Sequence, residues 1–200
     1  MASSLPPFFS QDQHEIARLV SIVDPSLQYD RDMNPSGSSC RTLLVRQEQV
    51  PRVLKIHRHS TNLWDDTYFN LEVLALKRAA ERQVPHVAHM TRHYHSEDYE
   101  ALLKEFIPGI PGNEIDPDTL FYDWTFISQL DQIYMNLHLA GIAKVSFLPR
   151  KVVIGEDNDV TLVDLSSCVV NTEHGLGRFV QEMHQDARFI SRLERQVARV

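Results

Sequence analysis

Residues 108–112 read Pro-Gly-Ile-Pro-Gly. No helix or central strand is expected to run through such a stretch, because proline lacks an N–H and glycine keeps too much backbone freedom. The hydrophobic pattern differs on its two sides. Upstream, apolar runs at 42–46 and 53–57 predict two strands, with Pro51 in the connection between them. Residues 65–82 then take helical spacing, with Phe69, Val73, Leu76 and Ala80 on one stripe. Residues 86–94 and 100–107 predict a further pair of strands around the turn 95–98. Downstream, Asp118 is the expected N-cap of a long helix with Leu120, Trp124, Ile127, Leu130, Tyr134 and Leu137 on its apolar side. Two short strands, 151–154 and 160–163, flank the turn 156–159. A last helix from about residue 174 carries Leu176, Val180, Met183, Ala187, Ile190 and Val197 as its inner face.

The first 26 residues form an N-terminal extension. Residues 1–12 are rich in Ser and Pro. Ile16, Leu19, Val20 and Val23 then keep a helical spacing that Pro25 ends. Residues 30–40 are turn-rich and hold one glycine, Gly37. The expected organisation is an extension at 1–26, a sheet-and-helix lobe at 27–108 and a mainly helical lobe at 109–200.

Hydrophobic residues make up 42% of the 200-residue chain and charged residues 24%, a composition that sustains a folded core. The net charge is −7, which argues against gripping nucleic acid or an anionic membrane. No apolar stretch approaches the ~18 residues of a bilayer span. The first ten residues lack a basic segment and a long apolar one, so the expectation is a soluble, cytoplasmic protein. Two cysteines, Cys40 and Cys168, do not make a disulfide framework and are read as reduced thiols. The histidine pairs His57/His59 and His93/His95 each alternate onto one strand face. A zinc site needs three or four converging ligands; spacing alone does not assemble them, and these histidines are read as surface residues.

Four further segments carry chemistry. VLKI places Lys55 inside a strand. Glu72 follows on the next helix, 17 residues on. LLKEFIPG, residues 102–109, runs from a strand into the Pro/Gly break. VTLVDLS, residues 160–166, sets Asp164 at the end of a hairpin strand. A magnesium–triphosphate complex needs a lysine for its phosphates, a carboxylate for its metal and an apolar slot for its base.

In this order and spacing, over residues 27–170, these segments resemble the protein-kinase-like superfamily, in a minimal, small-molecule-kinase-like form. The resemblance implies an α+β, two-lobed fold, with a small antiparallel sheet in the N-lobe and a truncated, mainly helical C-lobe. It implies ATP and Mg2+ as cofactors, bound weakly or not at all. Lys55 would hold the phosphates and pair with Glu72. The Glu105 carbonyl and Ile107 N–H would face the adenine, and Asp164 would bind the metal.

The catalytic loop departs from that pattern. Active relatives read roughly HGDLxPxN or HRDxxxxN after the long helix. Here residues 143–151 read AKVSFLPRK. Lys144 takes the histidine position, Ser146 the catalytic aspartate and Lys151 the metal-binding asparagine. A serine cannot orient an acceptor hydroxyl at neutral pH without a neighbouring base. Lys151 brings a positive charge to the second metal's position, where it stands in for that metal or excludes it. The glycine-poor loop NPSGSSC, residues 34–40, offers little close approach to phosphate. The expected function is a pseudokinase-type module binding a protein or small-molecule ligand. The alternatives are an enzyme in the interlobe cleft, either an atypical phosphotransferase or a fold repurposed for other small-molecule chemistry, and a cleft filled by the protein's own side chains.

Overall fold

The computed structural model describes residues 10–33, 40–59, 63–116, 119, 123–143 and 148–198, the side chains of 63–66 excepted. Gly37, Asp118, Leu120, Lys144 and Ser146, singled out above, lie outside the described residues. The chain is α+β and gathers into two compact units, residues 1–67 with 90–106 and residues 68–89 with 107–200.

The first unit begins with helix α1 (Gln13–Val23), whose first turn is capped by the Asp12 carboxylate accepting the His14 N–H at 2.8 Å. Strands β1 (Leu27–Asp32), β2 (Cys40–Gln47), β3 (Val50–Arg58), β4 (Met90–His95) and β5 (Tyr99–Glu105) form one antiparallel sheet, ordered β1-β2-β3-β5-β4. Side chains alternate across a strand, so Leu43, Val45, Leu54, Ile56, Tyr99, Ala101 and Leu103 share one face. That face forms a core with Ile16, Leu19, Val20 and Val23 of α1, the four residues its spacing singles out.

Glu48 and Gln49, both at positive φ (50° and 68°), make the β2–β3 turn. That turn suits the right-handed twist of paired strands. Pro51 is therefore not in the connection: it is the second residue of β3, opposite Arg46. Pairing to β5 starts only at Arg52, so Pro51 sits where β3 has a neighbour on one side, and its missing N–H breaks no central ladder.

The second unit takes most of helix α2 (Leu63–Glu81). Phe69, Val73, Leu76 and Ala79 are buried on it, while Ala80 is exposed. Strands β6 (Ile110–Pro111), β8 (Val152–Ile154) and β9 (Val160–Leu162) form an antiparallel sheet, and residues 86–88 run along β9 through Ala88 N–H to Leu162 O and Leu162 N–H to His86 O, both 2.9 Å. The Pro-Gly-Ile-Pro-Gly stretch is thus not a bare break, because its centre pairs with β8. Its glycines are needed for close approach: a Cβ on Gly109 (φ +146°) would lie 2.3 Å from the Ile154 oxygen, and one on Gly112 would lie 2.6 Å from the Pro149 oxygen.

Helix α3 (Trp124–Leu139) starts at Asp123, whose carboxylate accepts the Thr125 N–H at 2.7 Å. Phe126, Ile127, Leu130, Ile133, Tyr134 and Leu137 are buried on it. Trp124, expected on that stripe, is exposed in the first turn. Strand β7 (Ile142–Ala143) pairs with β10 (Val169–Val170).

The expected last helix is α5 (Leu176–Val197); a short helix, α4 (Asn171–His174), precedes it, and Gly175 at φ +77° divides the two. The inner face of α5 also differs from the expectation. Phe179, Glu182, Asp186, Ile190 and Leu193 are buried, whereas Leu176, Val180 and Ala187 are exposed. The reason is a buried acid with a partner: Asp186 Oδ2 is 2.9 Å from His138 Nε2 on α3. Hydrophobic periodicity cannot find a face that holds two carboxylates. No helix among the described residues is long and apolar enough to cross a membrane.

Candidate functional site

Antiparallel pairing of β8 and β9 matches Val152 with Leu162. The residues just outside that pair, Lys151 and Val163, are held together by the Val163 N–H donating to the Lys151 carbonyl at 2.8 Å. Lys151 closes the one-turn 3-10 helix Pro149–Lys151. Asp164 follows one residue after Val163, so the hairpin itself brings lysine and aspartate to the same place.

The Asp164 carboxylate turns back on its own chain. Its Oδ1 accepts the Ser166 N–H at 2.7 Å and also the Ser166 hydroxyl, a local turn that Asp forms readily. The Lys151 ammonium donates to the Ser166 carbonyl at 2.8 Å and lies 3.6 Å from Asp164 Oδ1. The two side chains differ in access to water, at 6% exposed for Lys151 and 25% for Asp164. A buried ammonium is costly unless charges and acceptors surround it, and here the carbonyl and the carboxylate do so.

Cys168 lies two residues beyond Ser166 and is buried, with Sγ 3.8 Å from the Leu71 carbonyl. Burial pushes its thiol up to about 12, the Glu72 and Asp164 carboxylates push the same way, and Lys151 opposes them. A thiol in that state is an inert, neutral group at physiological pH rather than a nucleophile. Glu72 is fully buried on α2.

The second unit holds three expected site residues, Glu72, Lys151 and Asp164; its hairpin brings Lys151 and Asp164 together with Ser166, and Cys168 lies just beyond. Sequence reasoning did not single out Ser166 and read Cys168 as a reduced thiol. Ile107 is half-buried at the start of this unit's second segment. Lys55 and Glu105 belong to the first unit. Lys55 is buried in the middle of β3, between Thr42 on β2 and Leu102 on β5. Glu105 ends β5 opposite Arg52.

Asp164, Lys151 and Ser166 make a poor magnesium site. Mg2+ demands near-octahedral oxygen ligands at about 2.0–2.1 Å. An ammonium 3.6 Å from the carboxylate opposes a dication there, and Ser166 already occupies one carboxylate oxygen. No protein-family model matches this chain, and no curated protein matches it.

Proposed function

We propose that the chain is a two-lobed protein-kinase-like module that binds a protein or small-molecule ligand and does not transfer phosphate. The observation that carries this reading is the buried Lys151 ammonium, bonded to the Ser166 carbonyl and 3.6 Å from Asp164. Phosphoryl transfer depends on a metal that neutralises the developing charge and on a group that orients the acceptor. Lys151 takes up the negative charge of Asp164 with a fixed cation, and the loop segment 143–151 has Ser146 where an acceptor-orienting carboxylate is required. In this reading Lys55 meets an anionic group of the ligand. The backbone at Glu105 and Ile107 meets a planar ring.

The test is a thermal-shift series with ATP, with ATP and Mg2+, and with Mg2+ alone, run beside a phosphate-transfer assay. A ligand that binds only the folded state raises its apparent stability by mass action, by about 2.7 kcal/mol at ~100 Kd. The wild type is expected to respond weakly and equally with and without Mg2+, and Lys55→Ala is expected to remove the response. Lys151→Asn is expected to make it magnesium-dependent. A strong Mg2+-dependent shift in the wild type, with phosphate transfer that Asp164→Ala abolishes, would replace this reading with an atypical phosphotransferase.

A further inference from the structure

On β3, Leu54 and Ile56 face the core with α1, so Lys55 and His57 face the other way. The register across the sheet pairs Cys40 with His57, His57 with Glu100, and Glu100 with His95. Four chemically reactive side chains therefore stand in one row across β2, β3, β5 and β4. His59 lies one residue past the end of β3, and His93 lies two residues before His95 on β4. Two histidine pairs far apart in sequence converge on one carboxylate.

The contacts are close. Glu100 Oε1 is 3.0 Å from His95 Nδ1, and Oε2 is 3.4 Å from His93 Nε2. His59 is anchored by its N–H to the Asp98 carbonyl at 3.1 Å, and its Nε2 lies 3.1 Å from the Ser96 carbonyl. The His59 and His95 ring centres are 6.0 Å apart. One donor atom from each of His59, His95 and Glu100 lies within 4.8 Å of the other two. Ligands bound at about 2.0–2.2 Å around a tetrahedral ion stand roughly 3.3–3.6 Å apart. The His95 side chain, 71% exposed, has room to adjust towards that spacing.

We propose that His59, His95 and Glu100 bind a Zn2+ ion that ties the end of β3 to the β4–β5 hairpin. Imidazole nitrogens favour zinc and its late transition-metal neighbours over Mg2+ or Ca2+. Glu100 is largely buried and held from both sides, so its carboxylate is already oriented. His93 acts as a positioning residue, since such outer partners fix the direction of a ligating group. The Ser96 carbonyl does the same for the His59 ring. The exposed edge at His95 leaves a fourth position for water.

The test uses the full chain, stripped with a chelator, and titrates Zn2+ against a chromophoric competitor, with Co2+ absorption as a check on coordination. One equivalent is expected to bind, and Zn2+ is expected to raise the denaturation temperature until chelator is added. His59→Ala and His95→Ala should each weaken binding by more than ten-fold. His93→Gln should weaken it by about ten-fold or more. The exposed histidines on α1 and α5 supply the controls: His14→Ala and His184→Ala should leave it unchanged. His95→Ala alters an exposed side chain, so loss of binding there is not loss of fold. Failure to bind one equivalent at micromolar Zn2+ would overturn the site. Equal affinity in the wild type and the His59→Ala/His95→Ala double variant would also overturn it. Either result would leave only histidine–carboxylate contacts around Glu100.

Discussion

Asp24 ends α1 and receives four hydrogen bonds. Ser26 gives its N–H at 2.8 Å and its hydroxyl at 2.7 Å to Oδ1, while Arg92 at 2.9 Å and the Tyr94 hydroxyl at 2.8 Å reach Oδ2 from β4. Burial alone would raise this carboxyl's pKa. The bonds from Ser26, Tyr94 and Arg92 outweigh burial and hold it at about 2, against an ordinary 3.8. That difference corresponds to about 2.4 kcal/mol of stability at neutral pH. It is an upper figure, because Arg92 is 58% exposed and water screens its share. Asp24→Asn keeps the shape but loses the charge, and it turns one acceptor into a donor facing Arg92. The expected loss at pH 7 is about 2 kcal/mol, read from urea denaturation followed by circular dichroism. The sign follows from a depressed pKa: the stabilisation is complete above about pH 4 and is lost as pH falls through 2. Wild type and Asp24→Asn should therefore differ by about 2 kcal/mol at pH 7 and converge towards pH 2. A difference that stays constant over that range would show that shape, not charge, sets the cost, and the reasoning would fail.

The His138–Asp186 contact between α3 and α5 should behave as a coupled unit. His138→Ala should cost about 3 kcal/mol, and adding Asp186→Asn should cost much less than in the wild-type background; additive losses in the thermal-denaturation cycle would deny the coupling. Gly109→Ala meets the Ile154 carbonyl at 2.3 Å and a φ of +146°, and should cost about 2–5 kcal/mol. Gly175→Ala, at φ +77° with open space around it, should cost only about 1–2 kcal/mol, and equal denaturation midpoints for the two variants would contradict the packing argument.

Periodicity finds an element when apolar burial is what positions it. The four apolar residues of α1 and the alternation along β3 and β5 are of that kind, and both are present in the first unit's core. Pattern fails where a polar contact decides the face. On α5 the apolar count favours Leu176, Val180 and Ala187, yet the buried side holds Glu182 and Asp186, and His138 supplies Asp186 with a partner. The charge that forms the partnership is also the reason a hydrophobic stripe passes over it. On α2, Glu72 is likewise buried, next to Val73 of the apolar stripe.

Sites divide along a similar line. Lys151 and Asp164 flank one short hairpin, so local turn chemistry brings them together, and a reader of the chain can see both ends of the hairpin. The histidines are different. His57/His59 and His93/His95 each show their alternation in sequence, but their meeting depends on β5 lying between β3 and β4. It also depends on a register that sets Glu100 opposite both His57 and His95. A slip of one residue in either pairing would turn Glu100 to the other face and disperse the cluster. Ala101 and Leu103 resist that slip, since it would carry them out of the core with α1. The hydrophobic face of the first unit's sheet thus maintains the polar cluster on its other face, and mutations that loosen the core should weaken zinc binding without touching a ligand.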